Sequence, residues 1–225
     1  MSETARAMVA AGKGLLAADE SAGTCKKRFD SVSVACNEEN RRAYRELLFT
    51  TPGLPEYVSG VILFDETIRQ KTKDGVNFAE YLKKNGVIPG IKVDAGAHDM
   101  ALHPGEKVTE GLDGLAGRMQ EYFAMGARFA KWRAVITIGE GIPSMACIRA
   151  NAHALTRYAA ICQEASIVPI VEPKVLLDGN HTVERSEEVH KATLQETYAA
   201  VARYGVAVEH LILKTSMVVS GKDNP

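Results

Sequence analysis

Short apolar runs alternate along the chain with longer amphipathic stretches. The apolar runs at 13–18, 60–64, 90–93, 129–138, 167–171 and 211–213 have the length and bounding residues of strands. Between them, 38–49, 78–85, 115–125, 144–165 and 184–204 space their apolar residues as helices do. Asn37 is positioned to cap the first of these, with Pro52 beyond its end. Gly86, Gly126 and Gly205 stand where helices stop. Strand–helix alternation of this kind predicts a parallel sheet covered by helices. There is no repeat, low-complexity tract or linker, so a single domain over residues 1–225 is expected.

Such a pattern suits an open doubly wound sheet or a closed barrel. An open nucleotide-binding sheet usually carries a glycine-rich phosphate loop after its first strand. Here the first strand runs instead into Asp19-Glu20-Ser21-Ala22-Gly23, which fits no such loop. Ionisable groups stand at or near nearly every strand end: Asp19, Asp65, Lys92 with Asp94, Lys131 with Arg133, Glu172 and Lys214. Charges delivered to one rim are how a (β/α)8 barrel builds its active site. The expected fold class is therefore α/β, a (β/α)8 TIM barrel. A complete barrel takes roughly 250 residues and eight strands. About six of the eight βα units are visible, so the barrel is expected to be incomplete at the C-terminus.

Composition narrows the function classes. Apolar residues make up 46% and charged residues 24% of the 225, an ordinary globular balance. A formal net charge of −1 gives no global reason to expect nucleic acid or an anionic membrane as partner. No apolar run approaches the roughly 20 residues of a membrane helix, and the N-terminus lacks a signal-peptide pattern. Cys25, Cys36, Cys147 and Cys162 show no paired spacing and read as reduced thiols, so a cytoplasmic location is expected. The six histidines show no metal-ligand spacing, and neither a metal nor another cofactor is expected.

Lys214 ends the apolar run Leu211-Ile212-Leu213. It is either a surface lysine or a nucleophile, because an apolar setting and a second cation such as Lys131 both favour the neutral amine. In Phe129-Ala130-Lys131-Trp132-Arg133, Lys131 and Arg133 share one face, with Phe129 deeper on it and Ala130 and Trp132 packing outward. The two cations mark an anion site or a basic strand end bridged to carboxylates. Glu172 closes an apolar strand before Pro173, which is expected to stop regular pairing. Burial there suits general acid–base work, though a structural counter-ion is the alternative. Asp19 is a base or the N-cap of a following turn.

The sequence contexts are more specific than the single residues. Gly12-Lys13-Gly14-Leu15-Leu16-Ala17-Ala18-Asp19-Glu20-Ser21, Glu38-Glu39-Asn40-Arg41-Arg42, Gly60-Val61-Ile62-Leu63-Phe64-Asp65-Glu66-Thr67, Gly90-Ile91-Lys92-Val93-Asp94, the Phe129–Arg133 segment, Ile170-Val171-Glu172-Pro173 and Leu213-Lys214 follow in order. Together they resemble the class I, Schiff-base fructose-1,6-bisphosphate aldolases over essentially the whole chain. The resemblance implies reversible cleavage of fructose 1,6-bisphosphate to dihydroxyacetone phosphate and glyceraldehyde 3-phosphate, without metal. It implies Lys214 as the Schiff-base lysine and Glu172 as the acid/base for carbinolamine dehydration. Asp19 would handle the C4 hydroxyl proton, and Lys131 would stabilise intermediates by charge. Lys92, Arg133, Ser21, Lys27 and Arg28 would contact substrate and phosphate. It implies a sugar-phosphate substrate and the possibility of a homotetramer.

The chain departs from the family pattern in three places. Glu172-Pro173-Lys174 stands where Glu-Pro-Glu is usual, exchanging a negative charge for a positive one. At about 4 Å and an effective dielectric of about 20, one such interaction is worth about 4 kcal/mol, so the direction of Lys174 matters. Leu213-Lys214-Thr215-Ser216-Met217 replaces Leu-Lys-Pro-Asn-Met, which is expected to loosen the turn after the nucleophile because no proline fixes φ. The last two βα units of the family, with their part of the C1-phosphate grip, are not in the sequence. Two other readings therefore stand beside the aldolase: a Schiff-base aldolase for another sugar phosphate, and an inactive fragment or interaction module.

Overall fold

The structure is a computed structural model and describes residues 1–224. The chain falls into two compact units, Met1–Lys92 with Gln120–Ala130, and Val93–Met119 with the residues from Lys131 onward.

In chain order the first unit begins with helix α1 (Ser2–Met8), strand β1 (Gly14–Ala17) and helices α2 (Ala22–Asp30), α3 (Glu38–Phe49) and α4 (Leu54–Tyr57). Strand β2 (Val58–Leu63), helices α5 (Asp65–Arg69) and α6 (Phe78–Lys84) and strand β3 (Ile88–Lys92) follow. β1 and β2 pair in parallel with Leu15 opposite Gly60, and β2 and β3 with Ile62 opposite Gly90. α3 keeps the predicted bounds because its start is chemically marked: the Asn37 side chain accepts the Asn40 N–H at 2.8 Å, and Glu38 and Glu39 lie against the positive end of the helix. Phe129 is fully buried on the backbones of Gly60 and Gly90, where a Cβ on Gly90 would come within 2.2 Å of its ring. Both glycines are thus required by close approach. The deep position predicted for Phe129 is the one it occupies.

The second unit contains the antiparallel hairpin of β4 (Gly96–Asp99) and β5 (Lys107–Glu110). Helix α7 (Leu115–Ala124) and strand β6 (Phe129–Ile136), whose residues from Gln120 to Ala130 belong to the first unit, come next, then α8 (Met145–Glu164), β7 (Val168–Val175), α9 (Val183–Tyr204), a short 3-10 turn (Val208–His210) and β8 (Ile212–Leu213). β6, β7 and β8 are neighbours in that order. α9 starts where Thr182 accepts the Arg185 N–H at 3.3 Å and ends at Gly205, whose φ of 73° admits the left-handed turn. Trp132 packs outward as predicted, stacking on Tyr158 of α8 at 5.5 Å. The Tyr158 hydroxyl donates to Ile170 O at 3.2 Å.

Two readings need correction, and some elements were not predicted. β7 does not end at Val171 but stays extended through Pro173 to Val175. Its pairing with β8 does stop there, the last link being Lys214 N–H to Val171 O at 2.9 Å. On its other side Leu176 N–H still reaches Ile136 O at 2.9 Å, so the missing proline N–H costs only one ladder. Asp19 does not cap the following helix; Ser21 does, accepting the Thr24 N–H at 3.4 Å. Helices α1, α2, α4 and α5 and the β4–β5 hairpin were not legible in the apolar pattern. α2 buries only Cys25 and Phe29, too few for a periodic signal.

Candidate active site

In the second unit three neighbouring strands bring together Lys131 from within β6, Glu172 from within β7 and Lys214 from just past β8, so the first two do not stand at strand ends as the sequence predicts. Along β6, Lys131 is buried, whereas Arg133 at the same parity is exposed. Arg133 is the one exposed position of β6, and Ala134, Val135 and Ile136 beyond it are buried again. Glu172, only 4% exposed, lies between the two lysines. Its Oε1 is 3.2 Å from Lys214 Nζ and its Oε2 is 3.4 Å from Lys131 Nζ. The Oε2 contact is ionic and lacks hydrogen-bond geometry. The Lys214 side chain is 42% exposed against 6% for Lys131, so one amine is open to solvent and the other enclosed. Two lysine amines flank the one carboxylate, an arrangement that suits an anionic substrate. The carboxylate stands where it can take a proton from the Lys214 amine and return one.

Lys174 is half-buried on β7, two residues beyond Glu172. The ion pairs of Glu172 are with Lys131 and Lys214. Lys174 acts on Asp178, whose carboxyl is held below its ordinary value mainly by Lys222 at 2.9 Å, with a smaller contribution from Lys174. Arg133 is fixed by its backbone: its N–H donates to Asp94 Oδ2 at 3.4 Å and its carbonyl accepts the Thr109 hydroxyl at 2.8 Å. Its guanidinium lies at the surface.

The remaining sequence-predicted residues belong to the first unit. Asp19 is half-buried just past β1, and Lys92 is half-buried at the last position of β3. Ser21 is the cap of α2, and Lys27 is exposed on that helix. Arg28 is tied by an ion pair to Glu20 and by a 3.0 Å hydrogen bond to Tyr44. Sequence reasoning missed the centre of this cluster. Arg45, 2% exposed, donates to Glu20 Oε2 at 2.5 Å and to the Glu20 carbonyl at 2.9 Å. One signal was present: Arg45 lies one turn before Phe49 on the buried face of α3, and a charge on a core stripe demands a partner. His190 of α9 was missed too. It belongs to a helical stripe of buried polar residues, Ser186, His190, Thr193 and Thr197.

Among the described residues no group of three or more His, Cys, Asp or Glu is placed to hold a metal ion. None of the described helices is long and apolar enough to cross a membrane.

Comparison with known proteins gives the family. The model of the family described as fructose-bisphosphate aldolase class-I matches residues 1–225. A probable fructose-bisphosphate aldolase class 1 of Xanthomonas campestris is 63% identical over 99% of this chain and 66% of its own. The cytosolic fructose-bisphosphate aldolase 5 of Arabidopsis thaliana is 53% identical over 99% of this chain and 62% of its own. A solved fructose-bisphosphate aldolase of Plasmodium falciparum, in complex with TRAP and a small-molecule inhibitor, superposes with a TM-score of 0.97 at 47% identity. That likeness covers 99% of this chain and 65% of the other, so the chain spans about two thirds of the length of these relatives. The fold is accordingly an α/β, (β/α)8-type barrel with six of its parallel strands present.

Proposed function

Because the chain belongs to the class-I fructose-bisphosphate aldolase family, we propose that it carries the Schiff-base centre of an enzyme that reversibly cleaves fructose 1,6-bisphosphate to dihydroxyacetone phosphate and glyceraldehyde 3-phosphate. The observation that carries this reading is Glu172, bridging the open Lys214 amine at 3.2 Å and the enclosed Lys131 ammonium at 3.4 Å.

In the proposed sequence the neutral Lys214 amine adds to the C2 carbonyl of the open-chain sugar. Glu172 supplies the proton that lets the carbinolamine hydroxyl leave as water, giving a protonated imine. Asp19 removes the C4 hydroxyl proton. The C3–C4 bond breaks with its electrons flowing into the iminium, and the triose aldehyde departs. The enamine is then protonated at C3, and water returns the amine and releases dihydroxyacetone phosphate. Lys131 keeps a positive charge beside these intermediates. Lys92, Arg133, Ser21, Lys27 and Arg28 are assigned to substrate and phosphate contacts. Arg28 has to share its guanidinium with Glu20 to do so.

We read the two compact units as parts of one barrel domain, and the working location as the cytoplasm. The family match across residues 1–225 supports the first, and the relatives named cytosolic support the second. A homotetramer is the expected assembly, open to test by light scattering.

Borohydride reduction with dihydroxyacetone phosphate, followed by peptide mass spectrometry, tests the centre of the proposal. A reduced adduct on Lys214 that disappears in Lys214→Ala is the expected result. Folded protein with no adduct on any lysine would sink it. Comparing cleavage of fructose 1,6-bisphosphate with that of fructose 1-phosphate then decides whether both phosphates are read.

A further inference from the structure

The turn that follows Lys214 lacks the proline expected there, yet a relay of hydrogen bonds holds it. Ser216 Oγ accepts the Val175 N–H at 3.1 Å, closing the end of β7 just beyond the point where Pro173 leaves its pairing with β8. The same oxygen is 2.8 Å from His190 Nε2 on α9. His190 is 6% exposed, and its Nδ1 lies 2.7 Å from the Ser186 carbonyl. A carbonyl only accepts, so Nδ1 carries a proton, and in the neutral ring Nε2 then presents its lone pair. The Ser216 hydroxyl therefore donates to Nε2. The relay runs from Val175 N–H through Ser216 and His190 to Ser186 O, each bond polarising the next.

This relay ties together the two strands that carry the reacting groups. Glu172 stands three residues before Val175 on β7, and Lys214 two residues before Ser216. Pulling the turn onto α9 fixes the backbone from which the Lys214 side chain reaches Glu172 at 3.2 Å. A displacement of about 1 Å at a reacting group can cost about a hundredfold in rate. We propose that His190 is a positioning residue for Lys214, acting through Ser216. The proposal rests on the reading of Lys214 as the Schiff-base nucleophile.

Two substitutions separate the bonds of the imidazole. His190→Asn places an amide where Nδ1 was and keeps the Ser186 bond, but does not reach Ser216. His190→Gln places its terminal amide near the Nε2 position, where its oxygen can accept from the Ser216 hydroxyl as Nε2 does. Ser216→Ala removes the relay at its centre. For each variant and the parent protein, the rate of borohydride-trapped adduct formation with dihydroxyacetone phosphate, kcat and KM for fructose 1,6-bisphosphate cleavage, and the thermal midpoint are measured. His190→Asn and Ser216→Ala should slow trapping and lower kcat by about tenfold or more, with KM within about twofold, whereas His190→Gln should stay within about threefold of the parent. If His190→Asn traps at the parental rate, or His190→Gln falls as far as His190→Asn, the positioning role is wrong. Should His190→Asn fail to fold, Ser216→Ala decides by the same criterion. A parent protein that gives no Lys214 adduct defeats the nucleophile reading itself and this proposal with it. A parent that does, beside unaffected variants, defeats this proposal alone.

Discussion

Single residues here take their chemistry from what surrounds them, and the cysteines show it as clearly as the lysines. Cys147 is buried beside Glu106, and burial first, then that carboxylate, push its thiol up to about 11. Cys162 is enclosed completely, and burial raises it further. Burial raises Cys25 as well, against the opposing pull of Arg45. Only Cys36 among the four is partly exposed. The thiolate is the reacting form, so iodoacetamide near neutral pH should label Cys36 and spare the other three in the folded protein. Peptide mass spectrometry checks this, and modification of Cys147 or Cys162 without unfolding would contradict it. Among the lysines, motif context singles out Lys131 and Lys214 from Lys174, and their distances to Glu172 place the two around one carboxylate.

At the scale of elements, the segment following β1 is held as a defined loop because α3 reaches across to it. Arg45 holds both the carboxylate and the carbonyl of Glu20, the residue next to Asp19. Removing Arg45 leaves the enclosed Glu20 carboxylate to the more exposed Arg28 and takes away the donor to its carbonyl. Arg45→Met should therefore destabilise the protein by about 3 kcal/mol, read by urea denaturation, and speed hydrogen exchange around residues 18–21. A loss below about 1 kcal/mol would show that Glu20 finds water or another cation instead. The same logic explains the turn after β8. The sequence departure at Thr215-Ser216 predicts loosening, and the helix beside it supplies the restraint that proline would have given. The element that compensates lies 26 residues away, at His190.

For the molecule as a whole, the titrating groups define a pH window of stability. Several carboxyls sit below their ordinary values in the folded state. Glu46 does so although burial opposes it, held by Arg42 and the Lys73 N–H, and Glu39, Asp99, Asp178 and Glu184 are lowered by their own hydrogen bonds. Such groups stabilise above the unfolded carboxyl range and lose that contribution as pH falls through the folded values. The raised thiols and the buried Tyr158 phenol act in the opposite sense: their contribution is complete below the unfolded values and is lost as pH rises. The thermal midpoint, followed by circular dichroism, should be nearly flat from about pH 5 to about pH 8 and fall on both sides. A midpoint that keeps rising below about pH 4 would contradict the acid limb.

Much of this protein was legible in the sequence because the relevant signals are local. Apolar spacing marked the strands of the barrel and five of its helices, and Asn37 and Gly205 bounded theirs through cap chemistry that needs only neighbours in sequence. The ordered motifs identified the family, since each is a short stretch of neighbouring residues read without the fold. What tertiary structure alone decided is which distant groups meet. Glu172 finds Lys214 and Lys131, Arg45 finds Glu20, and His190 finds Ser216. None of these pairs is written in a periodic pattern, because a hydrogen bond between residues far apart in sequence depends on where whole helices and strands pack. The short helices α1, α2, α4 and α5 escaped for a related reason: each buries one apolar turn or less, and its neighbours supply the stability its own sequence does not announce.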